Sequence, residues 1–338
     1  MARLGNHKSR PDQEIVLHQD ERIPVLDSIK APYCWVCSLE VEFPEPVIYP
    51  LGTLEYPGKN WRNLPATRKG CGSGLLISPA HVLTAAHVIA GLKVVKDPQT
   101  GKEVFKVVVA SKVIVIPART EENRQTPQPF GAFSSTQVRV SPGFKVGMEQ
   151  IVSDLTKAQI RRTLPFDFGI VEVEPQRVGG TSHVRFPGLE AGWWGEHSND
   201  RIQPVDLAFR QQLQEAKVHI LGYPGEKSAT PCGALWRSFD HVVDAFPTQH
   251  GKTLDLLLYQ ADTSAGMSGS PVWVKDKTGQ RYLVGVHSSF LDYKDKRTGQ
   301  MKRANVAAMI TAEMVAQLRV WKIGWLEIFI KTKGRLAY

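Results

Sequence analysis

The sequence predicts an all-β fold, either a sandwich or a barrel. Short runs of apolar residues, many alternating with polar ones, recur along most of the 338 residues, among them GLLIS, KVIVIPA, FGIVEVE and RYLVGVH. Glycine and proline separate these runs, which is typical of turns between short antiparallel strands. Only two stretches have helical patterns. The first is residues 205–216, and the second lies near the end of the chain, where one helical face carries Met314, Leu318, Trp321 and Trp325. We expect that face to pack against the core.

Composition and charge narrow the class of protein. Hydrophobic residues make up 42% of the chain and charged residues 22%, as in ordinary globular domains. The net charge of +9 favours anionic partners, but no dense lysine and arginine block with interleaved aromatic residues occurs. We therefore expect a solvated basic surface and no nucleic-acid partner. The longest apolar runs are interrupted by lysine or proline, which predicts no membrane span. Residues 1–20 lack the apolar centre of a signal peptide, so we expect a cytoplasmic or non-classically exported protein.

The four cysteines are Cys34, Cys37, Cys71 and Cys232. The first two have the CxxC spacing of redox and zinc sites, but no second pair at ligand spacing completes a metal site. The surrounding YCWVCSLEVEF alternates apolar and charged residues and predicts a strand. Side chains three positions apart on a strand point to opposite faces, so we expect buried free thiols and no metal.

The segment DTSAGMSGSPVW, residues 262–273, sets Ser268 on a glycine-flanked turn. A serine nucleophile needs an imidazole to take its proton and a carboxylate to orient that imidazole. His87, in LTAAHV, follows a strand and a turn, and Asp167, in LPFDFGIVEVE, opens a strand. Taken singly, a polar edge histidine and a turn-capping aspartate are ordinary alternatives. Together, the chain order His87, Asp167, Ser268 is that of chymotrypsin-type enzymes.

Further short sequence motifs make this resemblance more specific. GYPGEK at 222–227, VIPAR at 115–119 and PFG at 129–131 occur together with DFGIVEV, DTSAGMSGSPVW and VGVHSS. From about residue 33 to 320 the chain resembles the V8-like, or glutamyl endopeptidase, branch of the chymotrypsin-type serine proteases. The resemblance implies two antiparallel, six-stranded Greek-key β-barrels with a C-terminal helix. It also implies a serine endopeptidase that acts on polypeptides through an acyl-enzyme, without a cofactor. The oxyanion hole would be formed by the backbone N–H groups of Gly266 and Ser268.

Sequence pattern and this resemblance together divide the chain into five parts. The sequence carries no signal of an oligomeric state. The parts are a polar tail or pro-segment (1–30), the first barrel (31–175), a connection (176–204), the second barrel with its closing helix (205–324) and a basic, partly apolar extension (325–338). By default we expect the extension to pack on the barrel.

Thr263 and His287 match the positions that receive the substrate's glutamate side chain in this branch. A hydroxyl and an imidazole can hold a carboxylate by hydrogen bonds, so the resemblance implies cleavage after Glu and, less well, after Asp. Two structural residues with local partners are the alternative at these positions. Two alternatives remain open. One is a protease of another specificity, in which loops 228–250 or 288–303 reshape the pocket. The other is an inactive barrel that serves as a binding module.

The sequence departs from its relatives in two places near the predicted site. Val88 stands where secreted relatives carry a disulfide-bonded cysteine, which suggests a non-oxidising setting. Met267 stands where trypsin-like enzymes carry the aspartate that pairs with a freed N-terminal amine, so that switch is absent. Removal of residues 1–30 for activity is a separate hypothesis.

Overall fold

A computed structural model gives the architecture. Its strands confirm the all-β prediction. It describes residues 16–17, 19–49, 65–121, 125–149, 157–177, 184–214, 216–245, 248–249, 252–253, 255–295 and 298–322. In this part of the chain the strands are β1 (Ile23–Pro24), β2 (Val36–Val47), β3 (Thr67–Leu76), β4 (His81–Thr84), β5 (Ala90–Lys96), β6 (Glu103–Val109), β7 (Lys112–Pro117), β8 (Phe133–Ser135), β9 (Gln137–Val140), β10 (Gly169–Glu172), β11 (Gln176–Arg177), β12 (Val184–Arg185), β13 (Asp200–Ile202), β14 (Lys217–Gly222), β15 (Trp236–Ala245), β16 (Thr248–Gln249), β17 (Lys252–Thr253), β18 (Leu256–Tyr259), β19 (Pro271–Lys275), β20 (Arg281–Lys294) and β21 (Met301–Met309).

The first barrel is a sheet in the order β8-β7-β2-β3-β4-β10-β9. Its two edge strands are consecutive in the chain and are separated only by Thr136. The segment 133–140 pairs with β7 through its first half and with β10 through its second half, so it closes the sheet. Counted as one bent strand, it gives the predicted six. Along β2 the side chains of Leu39, Val41 and Phe43 are buried, as the alternating pattern predicts.

The second barrel is a closed antiparallel ring of six strands, as predicted. The order β15-β14-β19-β20-β21-β18 returns to its start through pairing of β15 with β18. Two short strands add to this ring from outside it. β1, at the start of the described chain, pairs with β15, and β13 pairs in parallel with β20. Most of the predicted N-terminal tail and the whole of the 325–338 extension lie outside the described residues.

Short helices connect the strands, and one longer helix follows the second barrel. That last helix buries Met314, Leu318 and Trp321, which confirms the predicted apolar face, whereas Trp325 lies outside the described residues. Trp321 packs against Phe168 with ring centroids 5.9 Å apart, so the chain returns to the first barrel. No helix in the described segments is long and apolar enough to cross a bilayer. The helices are α1 (Ala86–Ile89), α2 (Pro142–Met148), α3 (Lys157–Thr163), α4 (Pro187–Ala191), α5 (Leu207–Leu213) and α6 (312–322), with 3-10 turns at Tyr33–Trp35 and Leu164–Phe166.

The cysteines fall into two classes. Cys34 and Cys37 are free and buried, as predicted, although Cys34 lies on a 3-10 turn rather than on the strand. Burial raises the pKa of the Cys34 thiol to about 11, so it is not a nucleophile at neutral pH. Cys71 and Cys232 form a disulfide between β3 of the first barrel and the loop before β15 of the second. A separation of 161 residues gave the sequence no spacing signal for this bond.

The disulfide predicts a thiol count. The denatured chain should titrate two thiols before reduction and four after it, as measured with a chromogenic thiol reagent. Replacing both Cys71 and Cys232 by Ser should lower the free energy of unfolding by about 2–5 kcal/mol, because the unfolded chain loses a long cross-link. Four reactive thiols without reduction would contradict the assignment.

Candidate active site

Strand pairing brings His87 and Asp167 together. In the antiparallel pair of β4 and β10, Thr84 at the end of β4 lies opposite Gly169 at the start of β10. The chain leaves β4 into the short helix α1, which carries His87, and it enters β10 two residues after Asp167. His87 therefore lies on a helix turn just past the predicted strand end. Its side chain and that of Asp167 are both buried.

The Asp167 carboxylate accepts three hydrogen bonds. Its Oδ1 accepts from the His87 backbone N–H at 2.9 Å, and its Oδ2 lies 2.6 Å from His87 Nδ1. The Ser288 hydroxyl donates to the same Oδ2 at 2.5 Å. Burial alone would raise the pKa of this carboxyl, but the charge of His87 and the hydrogen bonds outweigh burial and lower the pKa. The ionised carboxylate favours a proton on Nδ1, which leaves Nε2 of a neutral ring as an acceptor.

Ser288 is a site residue that the sequence analysis missed. It lies on β20, at an irregularity in the pairing with β21 between His287 and Ser289. The two neighbouring residues have different partners, because the His287 ring is hydrogen-bonded to the Tyr259 hydroxyl and the Ser288 hydroxyl donates to Asp167. The motif VGVHSS contains both residues, but only the position of β20 relative to Asp167 reveals that Ser288 donates a hydrogen bond to this carboxylate.

The turn that carries Ser268 connects β18 to β19 and is pressed against the first barrel. The Ser268 carbonyl accepts from the Ser73 backbone N–H at 2.8 Å. Gly269 has φ +85°, and a Cβ at this position would overlap the Ser73 carbonyl and the Thr84 hydroxyl. Only glycine fits this contact, which sets Ser268 beside the segment that leads from Thr84 to His87.

Gly266 forms the other side of this turn. Its φ of +98° lies in the region that favours glycine, and a Cβ would stand 2.5 Å from the Tyr223 carbonyl and 2.8 Å from Cys232 Sγ. The disulfide therefore packs directly behind Gly266. Within the described part of the chain the Gly266 N–H donates to no acceptor.

Thr263 and His287 are both fully buried in the second barrel. The Tyr259 hydroxyl is hydrogen-bonded to His287 Nδ1, and the two rings pack with centroids 6.0 Å apart. The Thr263 hydroxyl has no hydrogen-bond partner in the described residues. A buried hydroxyl without a partner is costly, and an incoming polar group would relieve that cost.

Comparisons with known proteins agree with this architecture. Residues 72–286 match the family described as the trypsin-like peptidase domain. Inactive serine protease 35 of Rattus norvegicus is 25% identical over 265 residues, covering 75% of this chain and 61% of that protein. A solved structure of a Glu endopeptidase in complex with MPD aligns with a TM-score of 0.53 at 19% identity, covering 91% of this chain and all of that chain. At that identity the likeness shows the fold alone.

The family match covers well over half of the chain, from β3 to β20, and includes His87, Asp167 and Ser268. The two barrels are those of the chymotrypsin-like fold. The family acts on polypeptides. The chain belongs to the trypsin-like peptidase domain family.

Proposed function

We propose that the protein is a serine endopeptidase that cleaves peptide bonds through an acyl-enzyme intermediate. Ser268 is the nucleophile, His87 the general base and acid, and Asp167 the carboxylate that orients His87. The observation that carries the proposal is the buried contact of 2.6 Å between His87 Nδ1 and Asp167 Oδ2, with the Ser268 turn packed against the adjoining segment.

In the proposed mechanism, His87 Nε2 takes the Ser268 proton as Ser268 Oγ attacks the substrate carbonyl. The resulting oxyanion is stabilised by the backbone N–H groups of Gly266 and Ser268, each worth about 3 kcal/mol in the transition state. His87 then gives its proton to the leaving amine, and the acyl-enzyme remains on Ser268. A water molecule, deprotonated by His87, releases the acid product by the same steps in reverse.

We further propose the V8-like specificity, with cleavage after Glu and less well after Asp. The buried Thr263 hydroxyl and the His287 imidazole supply the donors for the substrate carboxylate. If the Tyr259 hydroxyl donates to His287 Nδ1, the neutral ring carries its proton on Nε2, and a protonated ring also carries one there. In both states Nε2–H can donate to a carboxylate.

An inactive barrel used for binding is the second candidate. The name of the rat relative, inactive serine protease 35, raises it. This chain, however, has serine, histidine and aspartate at all three proposed catalytic positions, and the aspartate is buried, ionised and paired with the histidine. A barrel that only binds a partner does not need a buried charge at this position, and burying a charge costs folding free energy.

Ser268→Ala should abolish hydrolysis of a peptide library, lowering kcat on the order of 10⁶-fold because the nucleophile is lost. Ser270→Ala is the matched control, since this neighbouring hydroxyl is fully buried and lies on the far side of Gly269. It should retain activity. Equal rates for wild type and Ser268→Ala would exclude the proposed nucleophile.

Asp167→Asn should lower kcat by about 10⁴-fold with the fold intact, because an amide favours the wrong tautomer of His87. The lowered pKa of Asp167 also sets a sign for stability. Its ionised form stabilises the folded state above the unfolded pKa of 3.8, and that contribution is lost as pH falls through the lower folded value. The stability gap between wild type and variant, measured by urea unfolding, should therefore narrow below about pH 4. Asp97→Asn, in an exposed turn, should leave kcat unchanged.

His287→Ala should lower kcat/KM for a peptide with Glu before the cut about 10- to 100-fold, with little change for the Gln peptide. Tyr259→Phe should give a smaller loss in the same direction, because only the partner of Nδ1 is removed. Hydrolysis of peptides that differ only at this residue measures both. Unchanged Glu preference in His287→Ala would remove the pocket assignment and leave the peptidase proposal in place.

A further inference from the structure

The N-terminal segment, residues 19–24 with Leu17, lies against the loop that leads to Ser268. Asp262 is 5% exposed, and its carboxylate accepts two backbone hydrogen bonds from this segment. The Leu17 N–H donates to Oδ1 at 2.8 Å, and the Glu21 N–H donates to Oδ2 at 3.0 Å. Pairing of β1 with β15 holds the end of the segment on the second barrel. We call this segment the strap.

Arg22 is the centre of the contact between the strap and the barrel. Its side chain is 2% exposed, donates to the Ser264 hydroxyl, and is 2.6 Å from Glu226 and 2.9 Å from Asp20. Ser264 in turn donates to Glu226 at 2.8 Å. Burial alone would lower the pKa of Arg22, but the two carboxylates outweigh burial and raise it, so the guanidinium stays charged. The planar guanidinium contacts all three partners at once.

The groups that Arg22 holds belong to the two loops that shape the Ser268 turn. Glu226 follows Gly225, whose N–H donates to the Ala265 carbonyl at 2.7 Å. The Ser264 carbonyl accepts from the Met267 N–H at 2.9 Å, one residue before Ser268. A continuous chain of hydrogen bonds therefore runs from Arg22 through Ser264 to the turn that carries Ser268.

We propose that the strap is a permanent part of the working site and that Arg22 is a positioning residue for the loop from Asp262 to Ser268. Arg22 acts through Ser264 and Glu226 and does not touch the substrate. This inference rests on the proposed peptidase function. It is the alternative to removal of residues 1–30 for activity, because such a cut would remove Arg22 and release the buried Asp262 carboxylate.

The rest of the strap region offers a matched control. Lys30 pairs with Asp27 at 2.7 Å, but the two side chains are 75% and 47% exposed. An exposed pair of this kind contributes little to stability or positioning. Lys30→Ala therefore removes a cation from the same part of the chain without reaching the loop.

The test compares full-length wild type, Arg22→Ala, Arg22→Lys and Lys30→Ala. For each, kcat/KM is measured for the preferred and second-preferred residue before the cut, and amide hydrogen exchange is measured over residues 262–269. Arg22→Ala should lower kcat/KM for the preferred peptide about 10- to 100-fold, the range expected for lost charge-assisted hydrogen bonds. It should also reduce the preference ratio, because Thr263 lies between the two anchored residues. Arg22→Lys should recover part of the lost kcat/KM and part of the preference ratio, and Lys30→Ala should match wild type.

Hydrogen exchange separates the inference from the proposed function. In Arg22→Ala the amides of residues 262–269 should exchange faster, while those of β2, in the first barrel, stay unchanged. A merely structural loss would lower activity on both peptides equally and leave the ratio constant, which would overturn the inference. The inference would also be overturned if Arg22→Ala showed the rates, the preference ratio and the amide hydrogen exchange of wild type. If wild type cleaves no peptide, the peptidase proposal fails, and exchange alone then decides whether Arg22 positions the loop.

Discussion

The buried carboxylate of Asp167 is the constraint on which the site depends. A charge in this position is costly unless it is paired and hydrogen-bonded. His87 supplies a backbone N–H and an imidazole, and Ser288 supplies a hydroxyl. Because His87 belongs to the first barrel and Ser288 to the second, the carboxylate is satisfied only when both barrels are folded and docked. The same docking sets the Ser268 turn beside Thr84.

The Ser268 turn is held from several sides, which suits a group that must be correctly oriented before a substrate arrives. From the first barrel, the Ser73 hydroxyl donates to the Gly266 carbonyl at 2.8 Å, and the Ser73 N–H donates to the Ser268 carbonyl. The Cys71–Cys232 disulfide lies behind Gly266. The strap anchors the preceding loop through Asp262 and Ser264. With Gly266 and Gly269 at positive φ, the chain adopts a turn that other residues would strain, and these contacts hold it there.

Sequence reasoning identified the strands and singled out His87, Asp167 and Ser268 as candidates because each has a local signal. Alternation of apolar and polar residues indicates the strands, and short sequence motifs indicate His87, Asp167 and Ser268. It did not reach features that exist only in three dimensions. The disulfide joins residues 161 positions apart, and Ser288 matters only because β20 passes Asp167. Arg22 lies in a polar stretch without a pattern, so its burial against Ser264 could not be read from composition. The four-residue helix that carries His87 is too short to show a helical period.

The central claim, that Ser268 is an activated nucleophile, is tested most directly by reaction with a fluorophosphonate, which needs no knowledge of the substrate. The account predicts one equivalent of adduct on the native protein, mapped by mass spectrometry to Ser268, and none on the urea-denatured chain. No adduct on the native protein, or adduct on Ser270 instead, would contradict it.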